Sequence, residues 1–372
     1  MRAVSARLVA GFRLAVNAGL GGLAGLVFAS CAPAPAVLLS PEAAGLRPAI
    51  EAAVPRGTEV LMEGQLPASQ AVPRNVVRVG STPGWNLPAG IGPALALPSG
   101  WAGAARYAIP KAIEALGRRA DGSWSAVPLL FDLVGSTGFV TDAKAPPPSG
   151  DWPTLIAKAG RGSIAIAGSR PSLRQAAYFF ESHASFEGPS EASLWFSQTA
   201  SGRPDPGSAL SPDFASRAFM PDAWNYSKED MMTHYKPGAG LTFIETFRDY
   251  ELANPPGFRR FSALGVGRED AREVAGVVLF AEVRGDRGSL KAASRIVASL
   301  AAPGFQKVAG LSGKWLAANR AATEIDFEGA NARQLAERAA RFYPLTDRLP
   351  DPPIEGSLLE RIQLSPQDAI HK

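Results

Sequence analysis

The chain has 372 residues, 46% of them hydrophobic and 19% charged, a globular balance that excludes a disordered or collagen-like protein. Its formal net charge is +4, but Arg2, Arg7 and Arg13 supply three of those charges, so the remainder is near neutral and offers no basic stripe for nucleic acid. The single cysteine excludes an intrachain disulfide and a zinc site built from several thiolates, while 38 glycines and 32 prolines predict many turns in a chain long enough for two lobes.

The three arginines precede an apolar run from Leu14 to Ser30 that no acid interrupts, and Cys31 follows Ala29-Ser30. A basic start, an apolar middle and small residues before a cut describe an export signal over residues 1–30. The segment "GLVFASC" resembles the lipobox of bacterial lipoproteins, with Phe28 in place of the usual leucine. That resemblance implies cleavage before Cys31, acylation of its thiol and attachment to the cell envelope, with residues 31–40 as an Ala/Pro tether. The other reading is a buried cysteine beside a membrane helix, although the run is short and glycine-rich for a span of about 20 apolar residues.

Beyond the tether, "AVLLSP" reads as a strand, followed by a short helix in "AGLRPAIEAAV", a turn at Pro55 to Gly57 and a strand from Glu59 to Met62. Alternating helix and strand indicates an α/β protein. From Glu63 to Gly103 proline and glycine are too dense to place elements. "IPKAIEALGRR" predicts a helix starting at Pro110, Asp121-Gly122 a turn, and "WSAVPLLFDLV" a strand, with "GSTG" at 135–138 read as a turn. A helix is expected from Asp151 or Trp152, a strand in "GSIAIAG", and a helix in "SLRQAAYFFESHA" with Leu173, Ala177 and Phe180 on one face. "EVAGVVLFAEV" is the continuous apolar run of a strand buried on both faces. Leu290, Ala293, Ile296 or Val297, and Leu300 then recur at helical spacing until Pro303 stops the run. Helices are expected in "GFQKVAG" and "NARQLAERAARFY", with "SLLERIQLSPQDAIHK" closing a chain that contains no internal repeat.

Catalytic signatures are missing. His183, His234 and His371 have no partner at metal-binding helical spacing, and there is no G-x-S-x-G elbow, S-x-x-K or P-loop, so neither an enzyme nor a cofactor or metal site is expected.

The order of several segments resembles the extracellular solute-binding proteins of ABC importers, of the sugar-binding family 1 type. Those segments are "DGSWSAVPLLFD", "DWPTLIAKA", "HYKPGAGLTFIETFRDYE", "GSLKAASRIVASLAAPGFQKVAGLSGKWLAANRAA" and "LSPQDAIHK". The resemblance spans roughly residues 105–372 and departs from the family pattern at "LVGSTGFV" and between Glu63 and Gly103, where the family's "PDv" strand has no clear counterpart. It implies an α/β, two-lobed periplasmic-binding-protein-like fold of type 2, with several hinge crossings between the lobes. Residues 41–130 would form part of the first lobe, 131–262 part of the second, 263–318 the return to the first, and 319–372 the second lobe with the C-terminal helices. "AVPLLFDLV" and "RFSALGVG" would cross between lobes side by side.

The implied function is a lipid-anchored binding component that captures a carbohydrate or similar small polar solute and delivers it to a membrane permease. The alternative is an envelope lipoprotein that uses the same fold as a protein-interaction scaffold. Sugars need flat aromatic faces rimmed by polar groups. Trp85, Trp101, Trp195 and Trp224 lie in loop-like settings, and of these Trp85, Trp195 and Trp224, with Asp132 on the hinge strand and Glu245 and Arg248 in "IETFRD", are the candidate ligand contacts. Each tryptophan has a core alternative and each charged residue a surface or ion-pair one; for Trp124 and Trp152 the core is favoured.

Overall fold

The computed structural model describes residues 35–64, 73–81, 90–101, 110–139, 162–165, 220, 230, 233–234, 240–253, 259–263, 265–266, 273–323, 326–327, 330–331, 335, 339 and 342–344. The expectations at Cys31, Trp85, Trp152, Trp195 and Trp224, and those for the segments around 172–184 and 357–372, lie outside these residues.

The first described element is β1 (Ala36–Leu39), whose four residues are all buried, so the end of the span 31–40 expected as a tether is a core strand. A 3-10 turn (Pro41–Leu46) and helix α1 (Arg47–Ala53) carry the chain to β2 (Val60–Met62), which pairs parallel to β1. Strand β3 (Val76–Gly80) pairs parallel to β1 on its other side. It lies within the stretch that proline and glycine made unreadable in sequence; short β4 (Ala94–Leu95) lies there too. Helix α2 (Lys111–Gly117) leads through the Asp121-Gly122 turn to β5 (Val127–Phe139). In that turn Gly122 has φ +79°, and Asp121 Oδ1 accepts the Ser123 amide at 2.9 Å and its hydroxyl at 2.6 Å.

Strand β6 (Ile164–Ala165) pairs parallel to β7 (Thr242–Thr246), which runs directly into helix α3 (Phe247–Ala253). Then follow β8 (Arg259–Ala263), β9 (Gly265–Val266) and the twelve-residue β10 (Glu273–Arg284). Helix α4 (Leu290–Ala301) buries Ala293, Ile296, Val297 and Leu300, the face expected from their spacing. Pro303 both ends α4 and opens α5 (Pro303–Gly313), where its fixed φ and missing N–H suit the first turn. The last described elements are β11 (Leu316–Ala317), the β12–β13 pair (Asp326–Phe327 with Ala330–Asn331) and β14 (Phe342–Pro344). The helix expected over "NARQLAERAARFY" therefore has strand at both ends: Asn331 belongs to β13, and Phe342-Tyr343 pair parallel to β10, whose exposed ladder groups they satisfy.

Strand order is β2-β1-β3-β10-β5-β7-β6. Val37, Leu39, Val77, Val79 and Val283 join Ile50, Ile296, Val297, Leu300 and Phe305 in one core beneath the helices. Ala36, Leu38 and Val76 lie in a smaller cluster with Leu61 and Ile91.

The longest strand changes neighbours midway. From Val127 to Asp132, β5 is antiparallel to β10, and Leu130 and Phe131 also pair with β11. From Val134 onward it pairs instead with β7 and β8, Gly135 lying opposite both Glu245 and Ala263. Partners are exchanged around Leu133, so one strand belongs to two sheets. "GSTG" is thus strand and not turn, because Gly135 has no room for a side chain. A Cβ there would sit 2.3 Å from Phe261 Cζ and 2.5 Å from the Ser262 carbonyl. The segment "RFSALGVG" runs beside β5 as β8 and then passes to β10 as β9. The two segments expected as crossings thus lie side by side, each pairing on both sides of the strand exchange.

Candidate functional site

Parallel strands β1 and β3 leave the sheet in sequence order β2-β1-β3, so the connections after β1 and β3 diverge. Such a reversal opens a crevice outside the carboxyl ends of the strands, the usual position for a ligand in an open α/β sheet. Gly80 at the end of β3 lies level with Phe280 of β10, which lies level with Pro128 of β5. Because β5 runs in the same direction as β3, its residues from Pro128 to Phe139 continue ~35 Å past that edge, at about 3.3 Å per residue. The part of β5 that pairs with β7 and β8 therefore lies beyond the level of that edge along the strand direction.

Three strand ends line that edge. Ser40 follows β1; its amide donates to the Val79 carbonyl at 2.9 Å, and its own carbonyl accepts from Ala43 at 3.0 Å. Its side chain is 1% exposed, and Oγ has no hydrogen-bond partner among the described residues. Glu63 follows β2, fixed by its amide to the Leu39 carbonyl at 2.8 Å. Its carboxylate accepts from Arg78 Nε at 2.6 Å. Arg78 belongs to β3, is 5% exposed, and its guanidinium extends along the strand over Gly80, where a Cβ would lie 2.8–2.9 Å from Nη1, Cζ and Nη2. Opposite Arg78 on β10 stands buried Glu282, itself bound by Arg284 Nη1 at 2.8 Å. Opposite charges alternate along this row, Glu63, Arg78, Glu282, Arg284, so burial of each is offset by a partner.

The polar residues singled out in the sequence lie by the strand exchange. Asp132, on the last β5 residue paired with β10, is 1% exposed, and its Oδ1 accepts the Arg248 backbone N–H at 3.0 Å. It thereby caps the first turn of α3, while Thr246 Oγ1 accepts the Asp249 N–H at 3.2 Å. Glu245 is half-buried on β7 and accepts from the Thr137 hydroxyl across the ladder. The Arg248 side chain donates from Nε to the Gly313 carbonyl at 3.0 Å and lies over the Trp315 ring at 5.0 Å. Residues 116 apart in sequence meet here, and the visible engagement of Asp132 and Arg248 is with protein groups.

Among the described tryptophans, Trp101, Trp124 and Trp315 are buried in the main core, Trp124 with Arg118 at 5.3 Å from its ring. No group of three or more His, Cys, Asp or Glu among the described residues could hold a metal ion, and none of the described helices is long and apolar enough to cross a membrane. Sequence reading missed Ser40, Glu63, Arg78 and Gly80. The available signal was the recurrence "VLLS", "VLME", "VRVG", three apolar runs each ending in a small or polar residue.

No protein-family model matches the chain, and no curated protein matches it in sequence. Solved structures do match in fold. A probable secreted solute-binding lipoprotein from Streptomyces coelicolor has a TM-score of 0.58 at 14% identity, over 92% of this chain and 98% of that one. Maltose-bound MalE3 of T. maritima has a TM-score of 0.56 at 13% identity, over 91% and 97%. Thiaminase I from Bacillus thiaminolyticus has a TM-score of 0.58 at 12% identity, over 90% and 99%. The two-lobed periplasmic-binding-protein-like fold expected from the sequence is therefore present. The same fold carries both binding proteins and an enzyme.

Proposed function

We propose that this chain is a solute-binding protein that closes two lobes around a small polar, hydroxyl-rich molecule, without chemical conversion of it. The observation carrying this reading is the exchange of β5 partners around Leu133, past which β5 pairs with a second sheet beyond the level of the carboxyl edge where β1 and β3 diverge. At that edge the Glu63–Arg78 pair and the Ser40 hydroxyl supply compact polar groups of balanced charge, suited to an uncharged solute with several hydroxyls. Glu245, Arg248 and Asp132, by the strand exchange, are the further polar contacts proposed. Trp85, Trp195 and Trp224 are the aromatic faces proposed to stack on the solute's C–H surface.

The mature protein begins at Cys31, is exported and is held to the envelope by acyl chains on that residue. Two or more chains anchor stably where one binds only marginally. Closure around the solute would present it to a membrane permease.

The test is a thermal-shift screen of the protein from residue 31 onward against monosaccharides, oligosaccharides and polyols. A solute at about 100 times its Kd adds about 2.7 kcal/mol of stability, enough for a plain rise in Tm. No shift with any of them, or turnover of one that shifts, overturns the reading in favour of a scaffold or an enzyme respectively. Mass spectrometry of membrane-extracted protein should find an acylated residue 31; an unmodified Cys31 or an intact residue 1 removes the anchor.

A further inference from the structure

Helix α3 enters from β7 and leaves toward β8, both partners of the second half of β5, so by chain connection it belongs to the second sheet. The side chain of Arg248, at its second position, nevertheless reaches three points of the first lobe. Nε donates to the carbonyl of Gly313, the last residue of α5; the guanidinium lies over Trp315; and Nη2 comes within 3.7 Å of where a Cβ would stand on Gly45, in the turn after β1.

The first-lobe side of this contact is a fixed seat. Trp315 is wholly buried, its amide donates to the Gly310 carbonyl at 3.0 Å, and the next residues form β11 on the first half of β5. Lys314 turns the chain at φ 58°, a left-handed conformation that a lysine adopts only when its surroundings hold it. Gly313 leaves room for the indole, since a Cβ there would stand 2.7 Å from Trp315 Cδ1 and 2.8 Å from Leu46 Cδ2. Beside it, Lys314 Nζ lies 3.9 Å from Glu251 Oε2, a second tie between α3 and the end of α5.

We propose that Arg248 is an interlobe strut that fixes the angle between the two lobes. With the strand exchange at Leu133 as pivot, a rotation of the second sheet that moves α3 against the end of α5 lengthens the Nε bond to Gly313 and slides the guanidinium off the indole, while the Asp132 bond keeps the first turn of α3 close to β5. The resting angle is therefore a discrete packed arrangement and not a soft average, as expected where rigid elements meet through close-packed groups. Arginine suits the place because its planar fork can donate in-plane while stacking on an aromatic face, which a lysine ammonium cannot do. The solute-binding reading gives the strut its purpose, as a term in the energy of moving the lobes about a solute.

The experiment uses the ligand-free protein from residue 31 onward, with Arg248→Ala and Arg248→Lys, each checked for folding by circular dichroism. Small-angle X-ray scattering reads the interlobe distance distribution, and hydrogen exchange reads the amides of α3 and residues 313–317. Arg248→Ala should shift the distribution away from the wild-type interlobe distance and speed exchange at those amides by about tenfold or more, as loss of a local restraint does. Arg248→Lys should fall between the two. Folded Arg248→Ala with unchanged scattering and unchanged exchange overturns the strut. If the alanine variant does not fold, the lysine variant, which keeps the cation and an aliphatic stem, decides the matter: wild-type scattering and exchange overturn it. Because no solute enters these measurements, a solute screen without a hit beside shifted scattering removes the binding reading alone, and a hit beside unchanged scattering removes the strut alone.

Discussion

The Asp132 carboxylate accepts the backbone N–H of Arg248 at 3.0 Å, joining the middle of β5 to the first turn of α3. A strand that leaves one sheet for another thus orients the helix that touches both. The carboxylate is buried and charge-assisted, so Asp132→Ala should cost about 1.5–3 kcal/mol. Asp132→Asn, which keeps an acceptor oxygen, should cost less. Urea denaturation of the two variants checks the order, and equal losses would place the contribution of Asp132 elsewhere than in this bond.

Gly135→Ala should destabilise by about 1–3 kcal/mol, the range for forcing atoms into a filled space. The new methyl would meet the Phe261 ring, which itself packs edge-on against Phe247 at 5.4 Å. Shortening the partner in Gly135→Ala/Phe261→Leu should recover part of the loss, and not all of it, because the Ser262 carbonyl also stands in the way. A thermodynamic cycle over the four proteins measures the coupling; strict additivity would mean the ring is not what excludes a side chain.

How much of this was legible follows from where the determining forces act. β1, β10 and α4 declared themselves because burial on both faces, or on one helical face, imposes a hydrophobic period within the element itself. β3 was hidden, since Arg78 interrupts an otherwise apolar run and its partners Glu63 and Glu282 come from distant strands. Gly135 reads locally as a turn residue, but the ring of Phe261 is what requires it, and no short window contains both. Phe342 and Tyr343 continue a helical pattern in sequence yet pair with β10, where an available ladder overrode local preference. Asp132 was picked on the hinge strand and Glu245 and Arg248 in "IETFRD"; Asp132 bonds the Arg248 amide, and Glu245 lies opposite Gly135, just past the strand exchange. Ser40 and Glu63 were missed because a serine or glutamate closing an apolar run is indistinguishable from an ordinary loop start until strand order reveals which ends share an edge.

The Asp121 carboxyl is held below the ordinary aspartate range, first by the Ser123 hydroxyl, then by the Ser123 amide. A depressed folded value means that the turn gains from the ionised form above the ordinary unfolded pKa and loses that gain as pH falls through the folded one. An NMR titration should place Asp121 below a Ser123→Ala variant. Coincident titrations in the two proteins would show that the hydroxyl does not hold the charge.

Gln306 is wholly buried and serves as a backbone surrogate: its Oε1 accepts the Asn319 amide at 2.8 Å, and its Nε2 faces the Ala301 carbonyl at 3.4 Å. Asn319 answers with Nδ2 to the same carbonyl at 3.3 Å and Oδ1 from Ala321 at 3.0 Å. Replacing Gln306 by Leu keeps the bulk but strands the Asn319 N–H, at a cost of about 1–3 kcal/mol. Chemical denaturation measures it, and a loss under about 0.5 kcal/mol would mean that water or a shifted backbone satisfies the amide.

Ser40 separates stability from binding. Its hydroxyl lies at the carboxyl end of β1, is 1% exposed and has no hydrogen-bond partner among the described residues. An unsatisfied buried polar group costs about 1–3 kcal/mol, so Ser40→Ala should leave Tm unchanged or raise it. The hydroxyl points to use rather than structure if the same change weakens capture of whichever sugar or polyol stabilises the wild type, by about tenfold for one lost hydrogen bond of about 1.4 kcal/mol. Titration calorimetry with that solute, set beside the two melting curves, measures both effects. Higher stability with unchanged affinity would show that Ser40 lies outside the solute's reach and would move the binding edge toward Glu63 and the crossing; lower stability would show that the hydroxyl is satisfied in solution and is a structural group after all.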